Sequence, residues 1–135
     1  TNGIQSMDLV ARKMMDGGAA AFALMDDMAA LVSASSSDLA KAVLAAIAQL
    51  RATTEWVVSQ ELNERFAGSV AYQKAFARVL GGYFHLVASM SGQSKRQRLA
   101  RVYINSLLPE TASLCTQAQV GAADLYALEL DDFAA

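Results

Sequence analysis

The sequence has few of the residues that cross-link small domains through disulfide bonds or bound metal ions. It contains one cysteine, Cys115, and one histidine, His85, in 135 residues. A single cysteine excludes an internal disulfide framework and a zinc site built from several thiolates. It fits a protein of the reducing cytoplasm. We therefore expect a fold held together by its hydrophobic core.

Proline and strand patterns are scarce as well. Pro109 is the only proline, and no run alternates Val, Ile, Thr or aromatic residues with polar ones. Both features argue against a sheet. Much of the apolar content is alanine, which favours helices and lets their axes approach closely. The sequence predicts an all-α helical bundle.

Neither charge nor hydrophobicity points to a nucleic acid or a membrane. The formal net charge is −2, so there is no electrostatic reason to expect a nucleic-acid partner. Asp26 and Asp27 interrupt the richest apolar run, which falls short of the ~20 residues of a membrane span. The chain begins at Thr1 without a methionine or a signal-like segment, which predicts a fragment or a processed product.

Apolar spacing predicts about five helices, of which the longest organises the others. It covers residues 38–66 without an internal Gly or Pro. Ser36 or Ser37 can cap its start, and Gly68 can end it in the left-handed conformation. The other predicted helices cover residues 3–15, 19–33, 69–90 and a fifth that starts at Ser94.

The apolar stripes predict which faces turn inward. The inward stripes of the first two helices are Ile4, Met7, Ala11 and Met14, and Phe22, Met25, Met28 and Val32. The fourth helix is apolar nearly all round, which predicts a place in the middle of the bundle or between the subunits of a homo-oligomer. Gly81 and Gly82 lie inside it and cost about 1 kcal/mol each relative to alanine. Close crossing by a neighbouring helix is the favoured explanation, and a hinge or ligand groove is the alternative.

Pro109 divides the last third of the chain. Its ring crowds the Asn105 carbonyl and it offers no N–H. Either a kinked helix continues to about Ala123, or a new helix starts with Pro109 in its first turn. We favour the Pro-kinked last helix, because the apolar pattern continues without a turn signal. The acidic and apolar tail, residues 124–135, is expected to dock through its large side chains. These are Leu125, Leu128, Leu130 and Phe133.

Few residues have the setting that catalysis requires. His85 can act as a general base near neutral pH, but no carboxylate or nucleophile lies one helical turn away. A hydrogen-bonded interior or interface histidine is the favoured interpretation. Cys115 has no basic neighbour, which predicts an unreactive core thiol. Glu55, Glu61 and Glu64 do not pair with His or Cys at ligand spacing, so we expect no metal site.

Four cations lie in the first turns of the fifth helix. They are Lys95, Arg96, Arg98 and Arg101. One interpretation is a site for a phosphate-bearing or acidic partner near a helix N-terminus, in a free-standing binding module. The other, which we favour, is a solvated face. Its cations would pair with tail carboxylates, namely Glu129, Asp131 and Asp132.

Two regions resemble acyl-CoA dehydrogenases. The opening TNGIQSMDLVARK is similar to the segment that directly follows the catalytic glutamate in that family. There, a Tyr-Glu-Gly-Thr run leads into an Ile-Gln pair and the last helix of the flavin-binding fold. The later RVYINSLLPE and DLYAL, together with LGGY at residues 80–83, resemble an extra C-terminal helical domain of some bacterial members. The branch that includes 3-methylthiopropanoyl-CoA dehydrogenases carries such a domain.

This resemblance implies a domain organisation and a parent enzyme. Residues 1–18 would be the last helix of the catalytic core, and residues 19–135 an accessory helical domain. The parent would belong to fatty acid metabolism and use FAD to remove two hydrogens from the α and β carbons of an acyl-CoA. A glutamate takes the α-proton and the flavin takes the β-hydride.

The resemblance also implies what this chain does. The catalytic glutamate would lie two positions before Thr1, so we expect no catalytic residue here and no FAD bound to the chain alone. By position, the residues that contact FAD in the parent would be Thr1, Asn2 and Gly3. The expected role is packing against the catalytic core or a neighbouring subunit.

Overall fold

Helices account for most of the structure of residues 1–134, which are the residues that the computed structural model describes. The α-helices in this range are α1 (Asn2–Val10), α2 (Ala19–Val32), α3 (Asp38–Ser59), α4 (Leu62–Ala67), α5 (Ser69–Ser89), α6 (Ser94–Ser106), α7 (Glu110–Ala118) and α8 (Ala123–Ala127). Two 3₁₀ turns cover Arg12–Met14 and Leu130–Phe133. The prediction of an all-α bundle is confirmed. The described range contains no strand, and none of its helices is both long and apolar enough to cross a bilayer.

Helix α5 is the centre of the bundle. It packs against α1, α3, α6 and α7. Its buried side chains include Tyr72, Val79 and Leu86, and they join the core of α3. The position that an all-round apolar helix predicts, in the middle of the bundle, is confirmed. The longest helix, α3, lies beside α5 and starts as expected, because the Ser37 hydroxyl accepts a hydrogen bond from the Ala40 N–H.

The prediction of one unbroken helix over residues 38–66 is wrong. Helix α3 ends at Ser59, Gln60 and Glu61 are extended, and α4 begins at Leu62. The break contains no Gly or Pro. Instead, the Arg65 guanidinium donates to the carbonyl oxygens of Gln60 at 2.7 Å and Val58 at 3.0 Å. These hydrogen bonds satisfy carbonyl groups at the end of α3. The chain can therefore turn there without leaving these carbonyl groups unpaired.

Gly68 does not adopt the left-handed conformation that we predicted. Its φ is −98°, which residues with a Cβ also adopt. Its role is close approach, because a Cβ at this position would overlap the backbone carbonyl of Ala118 in α7. Glycine is required here by the neighbouring helix and not by the backbone angle.

The close-crossing explanation for the paired glycines of α5 is confirmed. A Cβ on Gly81 would overlap the hydroxyl of Tyr103 in α6, and one on Gly82 would lie 2.9 Å from Leu108 Cδ1. The hydroxyl of Tyr103 donates to the Arg78 carbonyl at 3.3 Å. Side chains from α6 and from the turn after it therefore fill the space above both glycines.

The prediction of a kinked helix through Pro109 is wrong, and the alternative of a new helix is correct. The N–H groups of Leu107 and Leu108 both donate to the Tyr103 carbonyl, at 2.9 and 3.0 Å, which closes α6. Pro109 follows with φ −59° as the N-cap of α7. Its fixed φ suits a helix start, where a missing N–H has no consequence.

The two ends of the chain expose side chains that we expected to be packed. In α1 the buried residues are Ser6 and Val10, whereas Ile4 is 73% exposed. The predicted inward stripe of α1 was wrong for Ile4 and Met7, because α5 covers the other face. In the tail, Leu130 is 90% and Phe133 73% exposed, and Leu125 and Leu128 are exposed too. The predicted docking of the tail on its own bundle is therefore wrong for residues 124–133, and Ala135 lies outside the described residues.

Candidate functional site

The three residues that the resemblance assigns to FAD lie at the open start of α1. Thr1, Asn2 and Gly3 are all exposed, and a Cβ added at Gly3 would meet nothing within 4 Å. The N–H groups of the first turn have no side-chain cap. Free N–H groups at a helix start suit an anionic group such as a phosphate. The three residues are therefore accessible to such a group, and their contact with FAD stays a prediction.

An apolar groove lies beside this helix start, between α1 and α4. It has a volume of about 330 Å³, and Ile4, Met7 and Phe66 form its apolar floor. An ion pair of 2.7 Å between Asp8 and Arg12 lies on one side. The opposite side of α1 faces α5, where Ser6 and Val10 are buried and the Ser6 hydroxyl donates to Gln73 Oε1. The exposed apolar side chains of α1 therefore lie on its outer side. Sequence periodicity identified the apolar side chains but not the face that would be left uncovered.

His85 lies between α5 and α6 without a catalytic partner among the described residues. Its ring stacks on Tyr103 with centroids 4.7 Å apart and planes at 29°. Within residues 1–134, no side-chain hydrogen bond or ion pair involves the imidazole. The stacking makes His85 part of the contact between the two helices, and it gives no support to a role as general base.

A buried polar cluster joins α3, α5 and α7. The hydroxyls of Thr54 and Tyr72 are 2.8 Å apart, and Gln119 Nε2 donates to Thr53 Oγ1 at 3.1 Å. Burial raises the pKa of Tyr72 to about 12. Burial also raises the pKa of the Cys115 thiol, which lies next to Thr53. The prediction of an unreactive core thiol fits these findings, because a thiol with a raised pKa forms little thiolate at neutral pH.

The four cations of α6 lie on its exposed surface. Lys95, Arg96, Arg98 and Arg101 are all exposed, as are the apolar side chains of Leu99 and Val102 between them. Among residues 1–134, no ion pair joins any of these cations to a carboxylate. The solvated face that we favoured is therefore present, but its expected pairing with the tail is absent from this part of the chain.

Another groove runs between α5 and α7 and has a volume of about 570 Å³. Arg78 Nε and Glu110 Oε2 form an ion pair of 2.6 Å in its wall. The hydrogen bond to Glu110 raises the pKa of the Arg78 guanidinium. Lys74, Ser113 and Gln117 also line this groove. The described residues also contain no cluster of three His, Cys, Asp or Glu side chains that could hold a metal ion.

Comparison with known proteins identifies the class of domain. Residues 19–129 match the family described as acetyl-CoA dehydrogenase C-terminal like. The match covers most of the chain, and the chain therefore belongs to this family of helical domains found at the C-terminal end of acyl-CoA dehydrogenases. No curated protein and no solved structure matches the chain.

Proposed function

We propose that this chain is a non-catalytic packing domain of an FAD-dependent acyl-CoA dehydrogenase, in which α1 docks on the catalytic core. The uncovered apolar face of α1 is the observation that carries this proposal. Ile4 is 73% exposed and Met7 is 43% exposed, while Ser6 and Val10 on the other side of α1 are buried. Neighbouring apolar side chains that stay exposed on one side of a helix favour a partner that covers them. The family match begins at residue 19, after α1.

The proposal also assigns a place to the cofactor and the substrate. FAD would accept the β-hydride of the acyl-CoA in the parent enzyme, and Thr1, Asn2 and Gly3 would contact one edge of it. The exposure of these residues supports this assignment. The catalytic glutamate would precede Thr1 by two positions. The resemblance of RVYINSLLPE favours the 3-methylthiopropanoyl-CoA branch, and the single cysteine fits a cytoplasmic location.

Two measurements test whether the parent is an acyl-CoA dehydrogenase. Sequencing the reading frame upstream of Thr1 should reveal Tyr-Glu-Gly directly before it. The purified chain should show no flavin absorption and no acyl-CoA-dependent reduction of a dye. A different upstream sequence would remove the assigned base, and turnover by the chain alone would contradict a non-catalytic role.

A binding measurement tests the docking of α1. The catalytic core, expressed as a separate polypeptide from the upstream reading frame, should retain the wild-type chain on an affinity resin. The double variant Ile4→Asp, Met7→Asp should lose this retention, because it places two charges on the docking face. The matched control is Leu24→Asp with Leu31→Asp, which changes two exposed residues of α2. Equal retention of both variants would place the docking surface elsewhere.

A further inference from the structure

We propose that the chain forms a reciprocal dimer, in which the tail of each copy binds α6 of the other. The tail segment is defined as residues 124–133, and the basic face is the exposed side of α6. Residues of the basic face are Lys95, Arg98, Leu99, Arg101 and Val102. This surface is separate from the outer face of α1, so the inference is independent of the proposed function.

Charge is the first observation that pairs these two surfaces. Helix α6 carries four cations and no carboxylate, whereas the tail segment carries four carboxylates and no cation. The carboxylates are Asp124, Glu129, Asp131 and Asp132. The tail segment therefore has a formal charge of −4 and α6 as a whole one of +4, of which Lys95, Arg98 and Arg101 on the basic face contribute +3. Opposite potentials on two surfaces speed their encounter and select the correct partner.

Apolar exposure is the second observation. Lys95, Leu99 and Val102 follow one another at steps of four and three, so they form a single outward stripe on α6. Leu99 and Val102 are more than half exposed. The tail segment exposes Leu130 and Phe133 still more fully. Each surface thus combines apolar side chains with charges of one sign, and contact between them would cover both.

The tail segment has a defined shape that it can present to a partner. Its 3₁₀ turn is held by a capping box, in which the Glu129 N–H donates to Asp132 Oδ2 at 2.8 Å. This hydrogen bond leaves the Leu130 and Phe133 side chains exposed on the turn. A preorganised turn loses less conformational freedom on binding than a flexible chain end does.

A second copy of the chain is the occupant that these observations favour. Within residues 1–134 of one copy, no ion pair joins the tail segment to α6. Both surfaces lie on every copy, so a two-fold axis would form the same contact twice. A self-complementary pair of surfaces is what a closed dimer requires.

The test uses charge reversal in two variants of the full chain. The tail variant is Asp124→Arg, Asp131→Arg, which leaves the capping box intact. The face variant is Arg98→Glu, Arg101→Glu. Sedimentation equilibrium should give a dimer for the wild-type chain, with a Kd that rises with salt. Each variant alone should dimerise at least about a hundredfold more weakly, because like charges then face each other.

The decisive measurement is sedimentation equilibrium of a mixture of the two variants. In a mixed dimer, the two introduced arginines of one tail meet the two introduced glutamates of the other copy's α6, and the unchanged tail meets the unchanged basic face, so both contacts again pair opposite charges. We expect the mixture to form a dimer within about tenfold of the wild-type Kd. The matched control, Asp27→Arg with Glu55→Arg, reverses two exposed carboxylates outside both surfaces and should dimerise like the wild-type chain.

Three results would overturn the proposal. A wild-type chain that stays monomeric at all concentrations would show that the tail has no such partner in a second copy. A dimer that both variants retain would use another surface. Failure of the mixture to dimerise, while circular dichroism shows both variants folded, would exclude contact between tail and basic face.

Discussion

Replacing Arg65 should destabilise the domain more than any other change of a surface cation. Its guanidinium donates to three carbonyl oxygens, those of Gln60, Val58 and Val10, at 2.7, 3.0 and 3.3 Å. The carbonyls of Gln60 and Val58 lie at the end of α3, and that of Val10 lies at the end of α1. One side chain thus satisfies helix ends that lie far apart in the sequence.

The expected magnitude follows from these bonds. Hydrogen bonds to a charged group contribute about 1.5–3 kcal/mol each when they are shielded from water. Arg65 is half-buried, so water can replace part of this network. We therefore expect Arg65→Ala to lower the free energy of unfolding by about 3 kcal/mol. Arg65→Lys should recover less than half of this loss, because an ammonium group lacks the planar fork of the guanidinium.

Urea unfolding followed by circular dichroism measures this loss. Lys74→Ala is the matched control, because Lys74 is exposed and forms no ion pair within residues 1–134. It should change the free energy of unfolding by less than about 0.5 kcal/mol. If Arg65→Ala lies within the same range, or if Arg65→Lys equals the wild-type chain, the guanidinium does not hold the two helix ends.

Three further predictions concern buried contacts. Gly68→Ala should lower the free energy of unfolding by about 3 kcal/mol or more, because the Ala118 carbonyl cannot move aside. The control Gly3→Ala, in open space within α1, should raise it by about 0.5–1 kcal/mol. Equal effects of the two changes in urea unfolding would contradict the close approach at Gly68. Gly81→Ala should cost about 1–3 kcal/mol, and a double-mutant cycle should show that this cost falls in a Tyr103→Ala background. Burial raises the pKa of Tyr72 to about 12, whereas an unfolded tyrosine ionises near 10, so stability is complete below about pH 10 and falls as pH rises towards 12. At pH 11 the wild-type chain should have lost about 1.4 kcal/mol through this group, a loss that Tyr72→Phe should not show.

Features that depend on local spacing could be predicted from the sequence. Met25, Met28 and Val32 follow the helical period, and all three are buried in α2 as expected. Gly81 and Gly82 lower the stability of a helix, and a closely packed neighbour can offset this loss. Side chains of α6 and of the turn after it are that neighbour. In both cases the information lies within a few residues of the element itself.

Features that depend on distant partners could not be predicted in this way. The end of α3 contains no Gly or Pro, so the local pattern continued into α4 without a stop signal. The stop comes from Arg65, which reaches Val10 across 55 positions, and from Glu64, which accepts the Ala122 N–H at 2.8 Å across 58 positions. No window of helical length contains both members of either contact.

The candidate site shows the same limit more strongly, since function here depends on surfaces that the chain leaves uncovered. Periodicity marked Ile4 as part of an apolar stripe, but a stripe faces inward only if another element covers it, and α5 covers the other side of α1. Likewise, the cations of α6 and the carboxylates of the tail are both visible in the sequence, yet their separation within one copy depends on where α7 directs the chain. An uncovered apolar or charged surface in a folded domain is a property of the whole structure. A partner binds such a surface. The proposed contacts with a catalytic core and with a second copy could therefore be inferred only once the structure was known.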